Sequence, residues 1–152
     1  MKIKFYLLLI TACLSGCFKS DYDVIIVGGG ASGIASAVQS SRMGSKTLLI
    51  EQTDWLGGML TSAGVSAMDG NYKMPSGFLG EFRDSLVSHY GSLEDLKTGW
   101  VSNILFEPSV GNEILKNIAF NEKKLNVFFN SNVKNIEKNN NLWKLNIDSN
   151  DK

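Results

Sequence analysis

Asp-Val-Ile-Ile-Val-Gly-Gly-Gly-Ala-Ser-Gly, at residues 23–33, is the most informative stretch of this sequence. Its apolar part is a continuous β-branched run, which is typical of a fully buried strand in a parallel sheet. The glycines after it fit the pattern G-x-G-x-x-G. Residues 34–43 predict a helix, and Gly44 is placed to end it. A strand, a glycine-rich turn and a helix in this order predict the start of a βαβ unit.

A second buried strand is predicted at residues 46–50, and Glu51 closes it. This completes a unit of about thirty residues, the context in which the glycine pattern indicates a dinucleotide site. Glu51 follows Gly28 by 23 residues. A carboxylate there can accept hydrogen bonds from ribose hydroxyls and would repel a 2′-phosphate, so we expect a dinucleotide other than NADP.

The glycines of the pattern have separate physical roles in the predicted site. Gly28 lets the chain turn sharply off the strand, and Gly30 leaves room for the backbone to approach a pyrophosphate. Gly33 and Ala37 allow the helix to pack closely on the sheet. We expect the phosphates at the helix N-terminus, where unpaired N–H groups carry a partial positive charge. The alternative is an ordinary turn between strand and helix that binds no ligand.

The residues beyond Glu51 carry a resemblance to a known family. Residues 55–61 read Trp-Leu-Gly-Gly-Met-Leu-Thr, residues 66–70 read Ser-Ala-Met-Asp-Gly, and residues 106–110 read Phe-Glu-Pro-Ser-Val. These stretches resemble the FAD-dependent oxidoreductases of bacterial envelope and glycan-associated proteins, which are Rossmann flavoproteins of the glutathione-reductase-like class. The resemblance covers residues 22–147.

The resemblance implies that FAD is the cofactor and that its flavin accepts a hydride from a substrate, small-molecule or glycan-related, whose identity is unknown. It also implies which residues contact each part of FAD. These are Gly28, Gly30, Ala31, Ser32 and Gly33 for the pyrophosphate, Glu51 for the adenosine ribose, Gly57, Gly58 and Met59 for the flavin side, and the backbone of Val133 for the adenine. A Rossmann domain that binds NAD is the alternative, although such a domain would not need the glycine pair at 57 and 58.

The second half of the chain predicts two more helices, another strand and a hairpin. Helical spacing covers residues 76–90 and 108–120, and residues 125–129 read as a third parallel strand. Two alternating stretches around Asn139, Asn140 and Asn141, at residues 133–137 and 142–147, predict an antiparallel ribbon. The predicted fold class is therefore α/β, a Rossmann-like FAD-binding domain with a parallel sheet and a small ribbon.

Flavoproteins of the resembling class continue with a Gly-Asp motif and a substrate domain, and neither follows here. We therefore expect residues 23–152 to be the N-terminal part of the FAD-binding domain, incomplete at the C-terminus, with an open sheet edge and no substrate domain. The alternative is a truncated, non-catalytic remnant that binds a dinucleotide weakly or not at all.

The first residues predict an export signal at residues 1–16. Lys2 and Lys4 precede a short apolar run, which is about half the length that spans a bilayer. The following Leu-Ser-Gly-Cys, which ends at Cys17, resembles the lipobox of bacterial lipoproteins. That resemblance implies an acylated Cys17, a tether at residues 17–22 and a lipid anchor at a membrane surface of the bacterial cell envelope. The alternative is a buried first strand.

The composition and the remaining residues limit the other roles that the chain could have. Lys and Arg number 15, as do Asp and Glu, and 43% of residues are hydrophobic. A balanced charge disfavours nucleic acid as a partner. No metal site is expected, and no residue is nominated for catalysis; His89, at a predicted helix end, is more typical of a cap than of a base. Core positions are expected for five aromatic residues: Trp100, Phe106, Phe128, Phe129 and Trp143.

Overall fold

A computed structural model of the chain describes residues 20–149. The predicted export signal and Cys17 lie outside the described residues. Residues 20–149 form eight regular elements, with short 3₁₀ turns at Gly58–Leu60 and Glu94–Leu96. In order they are β1 (Val24–Val27), α1 (Ala31–Arg42), β2 (Thr47–Ile50), α2 (Gly77–Tyr90), α3 (Pro108–Phe120), β3 (Leu125–Phe128), β4 (Ser131–Asn139) and β5 (Leu142–Ser149).

The three short strands form a parallel sheet, and the two long ones form a hairpin. The sheet order is β1-β2-β3, with Thr47 of β2 opposite both Val24 and Leu125. Strands β4 and β5 are antiparallel, and Asn140 in their turn has a φ of 53°, a left-handed conformation that asparagine tolerates. The predicted α/β class, with its βαβ start and its antiparallel ribbon, is confirmed.

Helix bounds agree closely with the sequence prediction except at α1. Helix α3 spans the predicted residues, and α2 begins one residue later than expected. Helix α1 begins at Ala31, three residues before the predicted start, because Gly30 is its N-cap and the last three residues of the glycine pattern form its first turn. The glycine turn and the helix N-terminus are therefore a single feature.

Strand β1 is an edge strand, and the expectation that it is fully buried is wrong. Among the described residues it pairs with β2 alone, and Val27 is 57% exposed. Strand β2 lies between two neighbours and is buried along its whole length. The apolar run of β1 therefore does not by itself indicate how many strands pair with it among residues 20–149.

The hydrophobic core lies between the sheet and the three helices. Ile34 of α1, Leu49 of β2 and Leu115 of α3 are buried in it. The rings of Phe82 and Phe106 pack edge-on there, with their centroids 5.4 Å apart. Burial of each such side chain contributes about 1.5–3 kcal/mol. No helix among residues 20–149 is long and apolar enough to cross a membrane.

The aromatic residues expected in the core divide into two groups. Phe106 is buried and Phe129 packs against the core, as predicted. The prediction is wrong for Trp100, Phe128 and Trp143, which are exposed, Trp100 to 96%. Trp100 stands in a loop, whereas Phe128 and Trp143 border a cavity of about 610 Å³ that the ribbon leaves over one face of the sheet.

Arg42, the last residue of α1, connects three parts of the chain. Its guanidinium donates two hydrogen bonds to Glu81 of α2, at 2.7 and 2.8 Å, and a third to Glu122 after α3, at 2.6 Å. The bonds from Arg42 hold the pKa of the Glu81 carboxyl below its usual value. This ion-pair network fixes the C-terminal end of α1, at the opposite end of the helix from the glycine turn.

Candidate functional site

The glycine turn joins the end of β1 directly to the start of α1. Gly28 has a φ of 95°, which favours glycine, and its N–H donates to the carbonyl of Ile50 at 2.8 Å. No side chain caps the helix at Gly30. The first-turn N–H groups of Ala31, Ser32 and Gly33 have no partner within a helix, so they are available to an anion at this end of α1.

Gly33 and Gly30 of the turn differ in the space that surrounds them. A Cβ on Gly33 would lie 1.9 Å from the carbonyl oxygen of Gly28, so this position is fixed by the packing of α1 against the turn. A Cβ on Gly30 would meet nothing within 4 Å. The space beside Gly30 is therefore open, and the protein does not use it for its own packing. This is the place where the sequence predicts a pyrophosphate.

Glu51 points its carboxylate at the glycine turn. The residue is 8% exposed, and its Oε2 accepts a hydrogen bond of 2.6 Å from the N–H of Gly29. Its Oε1 accepts from the N–H and the hydroxyl of Thr53, at 2.9 and 2.8 Å. A carboxylate can accept about four hydrogen bonds, so capacity remains for a ligand hydroxyl. Thr53 is not among the residues that the sequence predicts for this site.

The backbone of Glu51 is held by hydrogen bonds to the end of β3 and the start of β4. Its N–H donates to the carbonyl of Phe128 at 2.8 Å, and its carbonyl accepts from the N–H of Ser131 at 3.0 Å. Val133 follows two residues later in β4, half-buried opposite Ile147. The start of the ribbon is thus attached beside Glu51, and the role of the Val133 backbone toward an adenine stays a prediction.

The glycine pair at 57 and 58 lies directly against the glycine turn. The N–H of Gly57 donates to the carbonyl of Gly29 at 2.8 Å, and a Cβ on Gly58 would lie 3.1 Å from the Cα of Gly30. Both glycines have positive φ, of 110° and 55°. Met59, which follows them, is 64% exposed. The structure therefore brings both glycine segments and Glu51 together.

Two buried polar side chains hold the residue before this pair. The side chain of Asn112, on α3, accepts the N–H of Leu56 at 2.9 Å, and the hydroxyl of Thr61 donates to the Leu56 carbonyl at 2.5 Å. Neither residue is among those that the sequence predicts for the site. Asn112 is a polar residue on the apolar face of a predicted helix, between Gly111 and Leu115, and this pattern indicates a buried polar group. The pattern does not predict which residue Asn112 bonds.

A cavity of about 610 Å³ opens beyond the second glycine segment. It is lined by residues that follow this segment, from Gly64 to Ala67, and by Tyr90 and Glu107. The Ser66 hydroxyl is buried and has no hydrogen-bond partner among the described residues. His89 is exposed in the last turn of α2, with its ring edge-on to that of Tyr90, and the capping role expected from the sequence stays a prediction.

Three features together define a Rossmann-like dinucleotide-binding domain. They are the parallel sheet with its βαβ start, the glycine turn at an uncapped helix N-terminus, and the buried acid at the end of β2. Residues 23–152 match the sequence model of the family described as FAD dependent oxidoreductase. The chain belongs to this family.

Similar proteins share parts of this chain. A 77-residue segment is 39% identical to the tRNA uridine 5-carboxymethylaminomethyl modification enzyme MnmG of Treponema pallidum, and covers 47% of this chain and 12% of that enzyme. This chain therefore spans a small part of the length of that relative.

Two solved structures have the same fold at low sequence identity. The p-nitrophenol 4-monooxygenase PnpA of Pseudomonas putida is 12% identical with a TM-score of 0.55, over 84% of this chain and 36% of its own. A geranylgeranyl bacteriochlorophyll reductase-like protein of Thermoplasma acidophilum is 22% identical with a TM-score of 0.56, over 86% of this chain and 36% of its own. These likenesses support the fold assignment.

Proposed function

We propose that this chain binds FAD at the glycine turn and forms the cofactor-binding portion of an oxidoreductase. The observation that carries the proposal is the buried Glu51 carboxylate, held 2.6 Å from the Gly29 N–H beside the open space at Gly30. An acid in this position at the end of β2 is suited to ribose hydroxyls. When bound, FAD supplies a flavin that accepts a hydride from the substrate.

Each part of the site has a distinct task in this proposal. The N–H groups of residues 31–33 bind the diphosphate, aided by the positive end of α1. Glu51 accepts hydrogen bonds from the adenosine ribose. Gly57, Gly58 and Met59 border the flavin half, and the backbone of Val133 contacts the adenine. None of these groups takes part in proton transfer, so this portion binds and orients the cofactor.

The proposal is tested by titrating the purified chain with FAD and recording the flavin absorption and fluorescence. We expect saturable binding that is tighter than the binding of NAD or NADP. The decisive variant is Gly30→Ala: since its new methyl group meets nothing in the protein, the midpoint of thermal unfolding should match that of the wild type. FAD affinity should fall at least about tenfold, because the methyl group occupies the diphosphate position. A wild-type chain that acquires no flavin bands would contradict the proposal.

We also propose that the chain is exported and anchored in the bacterial envelope through an acylated Cys17, and that its substrate is a small molecule or a glycan-related compound, as the family resemblance implies. The Leu-Ser-Gly-Cys sequence after a Lys-flanked apolar run supports the anchor. Radiolabelled palmitate should enter the wild-type protein and the control Cys13→Ser in a bacterial host, and should not enter Cys17→Ser. Equal labelling of the wild type and Cys17→Ser would overturn the anchor.

A further inference from the structure

The face of α3 that carries Gly111, Asn112 and Leu115 packs against the second glycine segment. A Cβ on Gly57 would lie 2.7 Å from Leu115 Cδ1, and one on Gly111 would lie 3.3 Å from Cγ2 of Thr61, which follows the glycine pair. These contacts show that α3 and the glycine segment fit together without spare space. The position of α3 therefore determines the position of Gly57.

We propose that Asn112 is a positioning residue for the cofactor site, which rests on the proposed binding of FAD. Its side-chain oxygen accepts the N–H of Leu56 and so holds the next residue, Gly57, against Gly29. No contact between Asn112 and the cofactor is involved. Asn112 acts through the backbone, at a point 56 residues earlier in the chain.

Burial makes this hydrogen bond consequential. Asn112 is 7% exposed, and Leu56 is fully buried. A buried N–H that loses its acceptor cannot turn to water without a movement of the chain. The Thr61 hydroxyl holds only the carbonyl side of Leu56, so loss of the Asn112 acceptor frees the N–H side of this residue. The segment would then shift away from the glycine turn.

The shift would affect ligands unequally. Gly57 and Gly58 face Gly29 and Gly30, beside the space predicted for the diphosphate. A ligand that extends past the diphosphate, such as FAD, depends on the spacing between the two glycine segments. AMP ends at its single phosphate, so in the proposed site it contacts Glu51, the Val133 backbone and the N-terminus of α1, and does not reach the second glycine segment. Asn112 should therefore matter for FAD and hardly at all for AMP.

The test compares Asn112→Leu, which has no acceptor, with Asn112→Asp, which keeps one. Asn117→Leu is the matched control, because Asn117 is an exposed asparagine on the same helix. Dissociation constants for FAD and AMP are measured at a temperature where circular dichroism shows every variant to be folded. We expect Asn112→Leu to weaken FAD about tenfold and AMP less than about twofold, and Asn112→Asp to restore FAD to within about threefold of the wild type.

Amide hydrogen exchange on the ligand-free chain gives a second readout. Exchange at Gly57 should be at least about tenfold faster in Asn112→Leu than in Asn117→Leu, whereas exchange at Leu49, in the central strand, should be unchanged. Unchanged exchange at Gly57, or equal acceleration at both amides, would overturn the proposal. Acceleration confined to Gly57 in a chain that binds no FAD would refute the proposed function and leave the positioning role of Asn112 supported.

Discussion

Gly33 approaches Gly28 so closely that a Cβ on Gly33 would lie 1.9 Å from the Gly28 carbonyl oxygen. The first turn of α1 and the end of β1 are thus in direct backbone contact. A side chain at position 33 must push the helix away from the turn, and backbone atoms cannot yield as a flexible side chain can. The conflict is therefore with the fold itself and is present without any ligand.

Gly33→Ala should lower the free energy of unfolding by about 3 kcal/mol or more, because it overpacks a rigid contact. Urea denaturation followed by circular dichroism measures the change. The matched control is Gly30→Ala, whose new methyl group meets no protein atom. Equal stability of the two variants would show that α1 can move away from the turn at little cost.

Glu51→Gln should weaken FAD binding and destabilise the ligand-free chain. The carboxylate accepts hydrogen bonds from both Gly29 and Thr53. An amide group at this position sets its own N–H₂ against one of these donors, which costs about 1–3 kcal/mol. Thermal unfolding without ligand and FAD titration measure the two effects. Glu113→Gln, at an exposed position on α3, should change neither by more than about 0.5 kcal/mol.

The ion pair between Arg42 and Glu81 should make the free energy of unfolding decrease as the pH falls into the acidic range. The folded-state pKa of Glu81 is lowered, above all by its hydrogen bonds from Arg42, so its contribution is present above its ordinary value of 4.5. That contribution is lost as the pH falls through the lowered pKa. It is at most about 1 kcal/mol, because both side chains are about one-third exposed.

Urea denaturation of the wild type and Glu81→Gln between pH 7 and pH 3 tests this expectation. The difference in unfolding free energy should be constant near neutrality and should shrink below about pH 4.5. Glu113→Gln again serves as the control variant. A difference that grows as the pH falls would reverse the sign and disprove the assignment.

The open edge of β1 should promote self-association. The strand carries four apolar residues and pairs on one side only among the described residues. Val27→Lys places a charge on this edge, a device by which natural sheets avoid edge-to-edge pairing. Light scattering of concentrated ligand-free protein should fall in this variant. Met43→Lys, at an exposed apolar position after α1, is the comparison; an equal reduction there would show that the added charge, and not the edge of β1, is responsible.

The sequence identified those features that depend on local patterns. The apolar runs of β1 and β2, the glycine turn between them and the Asn-rich turn of the ribbon each depend on neighbouring residues, and all are present in the structure. The proximity of the glycine turn and Glu51 also follows from a local rule, since the carboxyl ends of the two parallel strands lie at the same edge of the sheet.

Features set by distant contacts could not be read from the sequence. The exposure of Val27 depends on how many strands pair with β1. The apolar composition of the run does not reveal the number of partner strands. The role of Asn112 depends on a partner 56 residues away, and Trp143 is exposed because of how the ribbon covers the sheet. Each of these properties belongs to the tertiary arrangement.

The backbone bonds from Glu51 to Phe128 and Ser131 have a consequence for biosynthesis. When only β1 and β2 have been translated, the glycine turn and Glu51 are already present in the nascent chain. Phe128 and Ser131, which bond the Glu51 backbone, have not yet been made. The pocket matures only when the chain beyond Ser131 has emerged. Under the proposed function, FAD would therefore find its complete site only after Phe128 and Ser131 have folded beside Glu51.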